Sequence, residues 1–114
     1  MTDCLFCRII SKEIPSKLVY EDEKVLAFED INPQAPTHIL IIPKKHVASL
    51  KVAEESDQEL LGYILLTARK IAEDKGLGKN GFRLVINTGP DSGQEVYHFH
   101  VHLLGGRRFG WPPG

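Results

Sequence analysis

Three of the chain's five histidines fall within five residues, His98-Phe99-His100-Val101-His102. On an extended strand, positions i, i+2 and i+4 share one face. The spacing predicts three imidazoles in a row, neighbours about 6–7 Å apart at the strand rise, with Phe99, Val101 and Leu103 turned into an apolar core. A slip of one residue would exchange the two sets, so the alternation specifies which side does chemistry. Such a row has three readings: a solvated strand face, a zinc site of the H-x-H kind, or a nucleophilic centre. Imidazole, with a reference pKa of about 6.5, is largely neutral at pH 7 and is then a good nucleophile. Attack on a phosphate ester also needs donors and cations around the phosphate, and neighbouring imidazoles supply them. The surroundings favour phosphate. Asn87 and Gln94 are side-chain donors, and Gly93 permits close backbone approach with N–H groups aimed at an anion.

These side chains need a frame. Cys4 to Lys12 sets Leu5, Phe6, Ile9 and Ile10 at helical spacing, which predicts a short helix ended before Pro15. Strands are expected over 17–20, 25–30, 38–42, 82–87 and 96–104, with a Pro-containing loop over 31–37 and a tight loop over 88–93. Ser56-Asp57-Gln58-Glu59 reads as a capping box. Leu60, Leu61, Ile64, Leu65, Ala68, Ile71 and Ala72 then mark one long helix, with Gly76 as its stop. Short strands, hairpin-length links and a single long helix predict an α+β fold with an antiparallel sheet. No G-x-x-x-x-G-K-[ST] or G-x-G-x-x-G occurs, so phosphate has to be held by other means.

Composition narrows the function classes. A chain of 114 residues fits one domain, residues 1–114. Fourteen basic residues oppose fifteen acidic ones, so there is no global field for a nucleic acid; a small phosphate ligand needs only a local site. The longest apolar run, Ile39 to Pro43, is too short to span a membrane. The first residues carry no basic-then-apolar leader, which makes the cytoplasm the expected location.

The segment His98-Phe99-His100-Val101-His102-Leu103-Leu104 resembles the H-φ-H-φ-H-φ-φ signature of the histidine-triad superfamily. Glu13-Ile14-Pro15, Phe28-x-Asp30-Ile31, Pro33-Gln34-Ala35-Pro36-Thr37-His38, Ile42-Pro43-Lys44-Lys45-His46, Gly93-Gln94 and Trp111-Pro112-Pro113-Gly114 resemble its Hint branch, the histidine-triad nucleotide-binding proteins. The likeness covers almost the whole chain. It implies a five-stranded antiparallel sheet with one long and one short helix, joined to a partner's sheet in a homodimer, with the Trp111 tail reaching toward the partner's site. It implies that His100 attacks the α-phosphorus of a purine nucleotide conjugate and forms a nucleotidyl-histidine, which water then releases as the monophosphate. His102 would contact the phosphate, and Asn87, Gly93 and Gln94 would surround it. Asp30 would accept from the ribose hydroxyls, Leu5, Phe6, Ile9, Phe28 and Ile31 would wall the base, and His38 would support the site from behind. The implied substrates are adenosine phosphoramidates, lysyl-type AMP conjugates and acyl adenylates. Position 95 is a departure: Glu95 stands where some members carry a serine that helps the leaving group depart. Two other functions compete: a dinucleoside polyphosphate hydrolase from a sister branch, and a nucleotide-binding or scaffold protein with incidental hydrolysis.

Cys4-x-x-Cys7 places two thiols on one turn, which reads as half a zinc site, a pair of unliganded thiols or a redox pair. A tetrahedral zinc needs two more ligands, and the candidates are His46 and His98. Zinc-bearing histidine-triad proteins resemble this chain in that pairing. With no open position, such a zinc is structural and orients His98 at one end of the trio. Lys44 and Lys45 read as a solvated turn, with phosphate attraction as the alternative. Arg107 and Arg108 read either as recruiters of an anionic substrate or as part of a dimer seam.

Overall fold

The computed structural model describes residues 3–114. Helix α1 (Leu5–Ile10) starts where the Cys4 thiol accepts from the Cys7 amide, and it buries Phe6 and Ile9. It is shorter than the periodicity predicts, because Lys12 has left-handed backbone (φ 69°). Strands β1 (Leu18–Glu21), β2 (Val25–Glu29) and β3 (Thr37–Pro43) follow as an antiparallel meander. The first turn is built by Asp22, whose carboxylate accepts from the Lys24 and Val25 amides at 2.7 and 2.9 Å. Helix α2 (Gln58–Asp74) leads to β4 (Phe82–Val85) and β5 (Val101–Gly105). The five strands form one antiparallel sheet in the order β1-β2-β3-β5-β4.

Period-two alternation gives the sheet two apolar faces. Val25, Ala27, Ile39, Ile41, Val101 and Leu103 pack with Ile64, Ala68, Ile71 and Ala72 of α2. Leu26, Phe28, Leu40 and Ile42 face the other way and pack with Phe6 and Ile9 of α1. The small helix therefore closes over the same face that carries the histidines. Among the described residues no helix is long and apolar enough to cross a membrane.

Besides the end of α1, three boundaries differ from the sequence expectation by more than one residue, each for a local reason. The capping box belongs to Glu54 and Asp57: the Asp57 carboxylate accepts from the Glu54 amide at 2.9 Å, opening a 3-10 turn over residues 55–57 that runs into α2. Ser56 and Glu59 play no part in it. The last strand begins at Val101, not Val96. Extending its pairing with β3 would set Phe99 opposite Pro43, which has no N–H to give. Instead the Phe99 amide donates to the Val47 carbonyl at 2.6 Å, and residues 96–100 run irregularly. β4 stops at Val85, paired with His102, because its partner strand has ended one residue beyond. The expected helix stop is found: Gly76 has φ 79°, a left-handed turn that favours glycine.

Candidate functional site

Although only His102 lies within β5, all three histidines of the trio sit on the α1 face of the sheet. The Phe6 ring meets those of His98 and His100 edge-on at 6.0 and 5.1 Å between centroids. The His100 and His102 rings are 5.0 Å apart. The irregular stretch before β5 divides the trio into two sites. His98 turns to the N-terminal cysteines, while His100 and His102 face a cavity of about 580 Å³.

The main chain fixes ring roles. His98 donates from Nε2 to the Pro43 carbonyl at 2.7 Å, so its Nδ1 carries the lone pair. His100 donates from Nδ1 to the His98 carbonyl at 2.7 Å, so its Nε2 carries the lone pair. Burial holds the imidazoles of His38, His98, His100 and His102 below their ordinary pKa. His98 and His102 are each brought to about 4, by burial first and then by neighbouring imidazoles; for His98 the Pro43 carbonyl opposes the shift, and for His102 Asp30 does. His100 is lowered by burial against the pull of the His98 carbonyl and Asp30. His38 is lowered by burial against Asp30. The trio and His38 are therefore neutral at pH 7.

The cavity is walled by Phe6, Phe28 and Ile31, with Asp30, Asn87 and Gly93 also on its lining. Leu5, Ile9 and Glu95 line it too, so nearly all the expected nucleotide contacts gather around His100 and His102. His38 lies behind His102, its Nε2 2.9 Å from His102 Nδ1 and 3.4 Å from an Asp30 oxygen. Gln94 does not line the cavity. Its buried amide accepts from the Gly89 N–H at 2.8 Å and donates to the carbonyls of Ala48 and Val96 at 3.0 and 3.2 Å. The Gly93 and Gln94 N–H groups, expected to face an anion, close their own turn on Pro90 and Gly89. Gly93 has φ 84°, which lets that turn fold tightly against the cavity. Sequence reasoning missed the main-chain groups that aim the histidines, the carbonyls of Pro43 and His98 and the Gln34 amide, which donates to His38 Nδ1 at 3.0 Å; nothing in a residue's type marks them.

Cys4, Cys7, His46 and His98 converge on one point, their ligand atoms all within 4.8 Å of one another. His98 Nδ1 is 3.3 Å from the Cys4 sulfur, 3.5 Å from the Cys7 sulfur and 3.1 Å from His46 Nδ1; the Cys7 sulfur is 3.4 Å from His46 Nδ1. A tetrahedron with bonds of about 2.0–2.3 Å has edges of roughly 3.3–3.8 Å; the three sulfur–nitrogen separations fall in that range and the His46–His98 pair just short of it, a spacing that fits zinc. The donor chemistry fits as well, since the Pro43 carbonyl already leaves the His98 Nδ1 lone pair facing the thiols. Asp30, His38 and His102 form a second group of donor atoms this close together. Lys44, Lys45 and Arg107 are engaged with protein groups. Lys44 pairs with Glu21 and Lys45 with Asp57, both away from the cavity. Arg107 donates to the Gln34 carbonyl and stacks on Phe109. Trp111 is exposed.

The "HIT domain" family matches residues 11–109. A maize (Zea mays) protein named "14 kDa zinc-binding protein" is 62% identical over 112 residues, covering 96% of this chain and 87% of the maize protein. The crystal structure of a HIT family hydrolase from Legionella pneumophila Philadelphia 1 superposes with a TM-score of 0.97 at 56% identity, covering 98% of this chain and all of that one. A histidine triad nucleotide-binding protein from Candida albicans superposes with a TM-score of 0.83 at 36% identity, covering 96% of this chain and 83% of that one. On sequence and fold together, the chain belongs to the HIT (histidine-triad) family.

Proposed function

We propose that this protein hydrolyses AMP conjugates at the α-phosphate, through a nucleotidyl-histidine formed on His100. The observation that carries the reading is the orientation of His100. Its Nδ1–H is held by the His98 carbonyl, and its unprotonated Nε2 belongs to a ring lining a cavity of nucleotide size. In the proposed reaction, Nε2 attacks the α-phosphorus and the bond to the leaving group breaks; that bond's electron pair leaves with the group, an amine nitrogen taking up a proton from solvent as it departs and a carboxylate leaving without one. Water then attacks the phosphorus and gives up a proton to solvent, the P–N bond to His100 breaks with its electron pair returning to Nε2, and AMP is released with the ring restored to neutrality. His102 donates to the phosphate oxygens as charge builds on them. Asn87 adds a donor, Asp30 accepts from the ribose hydroxyls, and Phe6, Phe28 and Ile31 hold the base. His98 acts through its carbonyl. Glu95 stands at the rim, placed to orient an amine leaving group.

Cys4, Cys7, His46 and His98 would hold zinc, which when bound cross-links α1 to the segment before β5 and leaves no open coordination position. We also propose one domain per chain and a homodimer joined edge to edge. In support, β4 is an outer strand of the sheet, and Ile86 just beyond it is exposed.

The test is release of AMP from adenosine 5′-phosphoramidate, with diadenosine tetraphosphate in parallel, by wild type and His100→Ala. Faster cleavage of the phosphoramidate, abolished in His100→Ala, is the expected result. Preference for the dinucleotide makes the protein a dinucleoside polyphosphate hydrolase. AMP binding without cleavage of either makes it a nucleotide-binding protein. Light scattering at twice the chain mass supports the dimer, and a monomer removes it.

A further inference from the structure

Four buried or half-buried histidines serve this site, and the main-chain carbonyls of Pro43 and His98 fix the proton positions of only two. The other two, His38 and His102, touch ring to ring, and one proton between them has to be assigned. His38 Nδ1 lies 3.0 Å from the backbone amide of Gln34. An N–H can only donate, so Nδ1 must accept. We infer that the main-chain N–H of Gln34 is the positioning group that sets the tautomers of His38 and His102, and through them makes His102 a donor toward the phosphate.

With Nδ1 accepting, neutral His38 carries its proton on Nε2. That nitrogen has two acceptors in reach, His102 Nδ1 at 2.9 Å and an Asp30 oxygen at 3.4 Å. The shorter contact is a normal hydrogen bond and the longer is at the limit of one. His102 Nδ1 thus accepts, and the His102 proton sits on Nε2, the nitrogen left to face the cavity. The opposite assignment sets the Gln34 N–H against a His38 N–H at 3.0 Å, donor against donor. It would also turn His102 into an acceptor pointed at an anion.

Gln34 is itself held from the other side. Its carbonyl accepts from Arg107 Nε and a terminal nitrogen at 3.3 and 3.1 Å, and its side-chain amide donates to the Asn32 carbonyl at 3.0 Å. The Arg107 guanidinium stacks 4.2 Å from the Phe109 ring centroid, with Arg83 5.2 Å from the same ring. The tail thereby anchors the loop that carries the amide. The assignment also settles the second donor group. His38 Nε2, being protonated, offers no lone pair, so Asp30, His38 and His102 form a hydrogen-bonded relay and not a metal site.

The tautomers are read on substrate-free protein, so their outcome is independent of the hydrolase reading; only the catalytic consequence rests on it. In histidine-labelled protein, two-bond ¹H–¹⁵N correlations distinguish protonated from unprotonated ring nitrogens. We expect protonated Nε2 and unprotonated Nδ1 for both His38 and His102 in the wild type. The same is expected in Gln34→Ala, which keeps the amide. Gln34→Pro deletes the N–H. One neutral hydrogen bond biases a two-state ratio by roughly 2- to 10-fold, so proline should bring in a population protonated at His102 Nδ1 and lower kcat several-fold with KM within about twofold. A wild-type His38 protonated at Nδ1, or ring shifts unchanged by proline, would overturn the inference. Should Gln34→Pro not fold, trans-hydrogen-bond ¹⁵N–¹⁵N couplings in the wild type decide instead. Couplings from Gln34 N to His38 Nδ1 and from His38 Nε2 to His102 Nδ1 uphold the relay, and their absence overturns it.

Discussion

Gln94 separates two ways in which a residue beside a phosphate site can matter. The family likeness casts it as a phosphate neighbour, whereas the fold places its side chain behind the loop, buried, with three backbone partners. Consider Gln94→Ala. The substitution removes an acceptor for the Gly89 N–H and two donations, to Ala48 and Val96. Each bond contributes about 1 kcal/mol net, and a buried N–H left without a partner costs roughly 1–3 kcal/mol more. The carbonyls lose less, because each keeps a second lone pair. The total comes to about 3–5 kcal/mol. For a chain of this size, each kcal/mol lowers Tm by roughly 4 °C, so a fall of roughly 12–20 °C is expected. Urea and thermal unfolding followed by circular dichroism measure it. The Gly89–Gly93 turn should also loosen, lowering kcat/KM in step with stability. A Tm within 2 °C of wild type, together with a kcat/KM loss of more than 50-fold, would refute this reasoning and return Gln94 to direct phosphate contact.

Phe6→Ala should cost about 3–5 kcal/mol in urea unfolding, because Phe6 packs edge-on against Phe28 and His100 and is 4% exposed; it should also weaken AMP binding measured by calorimetry. At Asp22, burial works to raise the carboxyl, but hydrogen bonds from Tyr63, from the Lys24 and Val25 amides and from Tyr20 outweigh it and hold the pKa at about 2. The folded value lies below the unfolded one, so this stabilisation is complete above about pH 5 and is lost as pH falls toward 2. Discounted for the solvent that reaches the carboxylate, it amounts to about 1–2 kcal/mol, and the urea stability gap between wild type and Asp22→Asn should shrink by about half that amount between pH 7 and pH 3. Protein purified without chelator should carry about one zinc per chain by elemental analysis, and stripping it should lower Tm by several degrees as α1 loses its tether; less than a tenth of an equivalent, with both thiols titratable, would remove the zinc reading.

What the sequence made legible followed from periodicity. The apolar set Phe99, Val101 and Leu103 does face α2, the stripe on α2 is buried, and the histidines do share the opposite side. The long helix and the succession of strands along the chain were equally accessible, because 3.6- and 2-residue repeats are properties of side chains in line. What escaped was set by partners distant in sequence. The last strand starts late because Pro43, more than fifty residues earlier, cannot donate to it. The capping box joins Glu54 and Asp57, closing on a 3-10 turn ahead of α2 that the Ser-x-x-Glu pattern hides. Gln94 is a strut because Ala48 lies across the loop from it.

Three adjacent histidines on one face look interchangeable, and their division of labour comes from the backbone around them. A carbonyl at Nε2 of His98 forces its lone pair to Nδ1, toward two thiols. A carbonyl at Nδ1 of His100 forces the lone pair to Nε2, toward the cavity. Both effects meet in His98, whose ring belongs to the cysteine cluster while its carbonyl aims His100. Any metal held at that cluster therefore bears on His100 through the position of that peptide group and through Phe6 of α1, whose ring packs against His100. That predicts a specific asymmetry. Replacing the His98 ring should disturb metal retention first and the orientation of His100 second. A change that moves the carbonyl without touching the ring should do the reverse. The irregular backbone over residues 96–100 makes this division possible, since a regular strand would commit its carbonyls to the ladder.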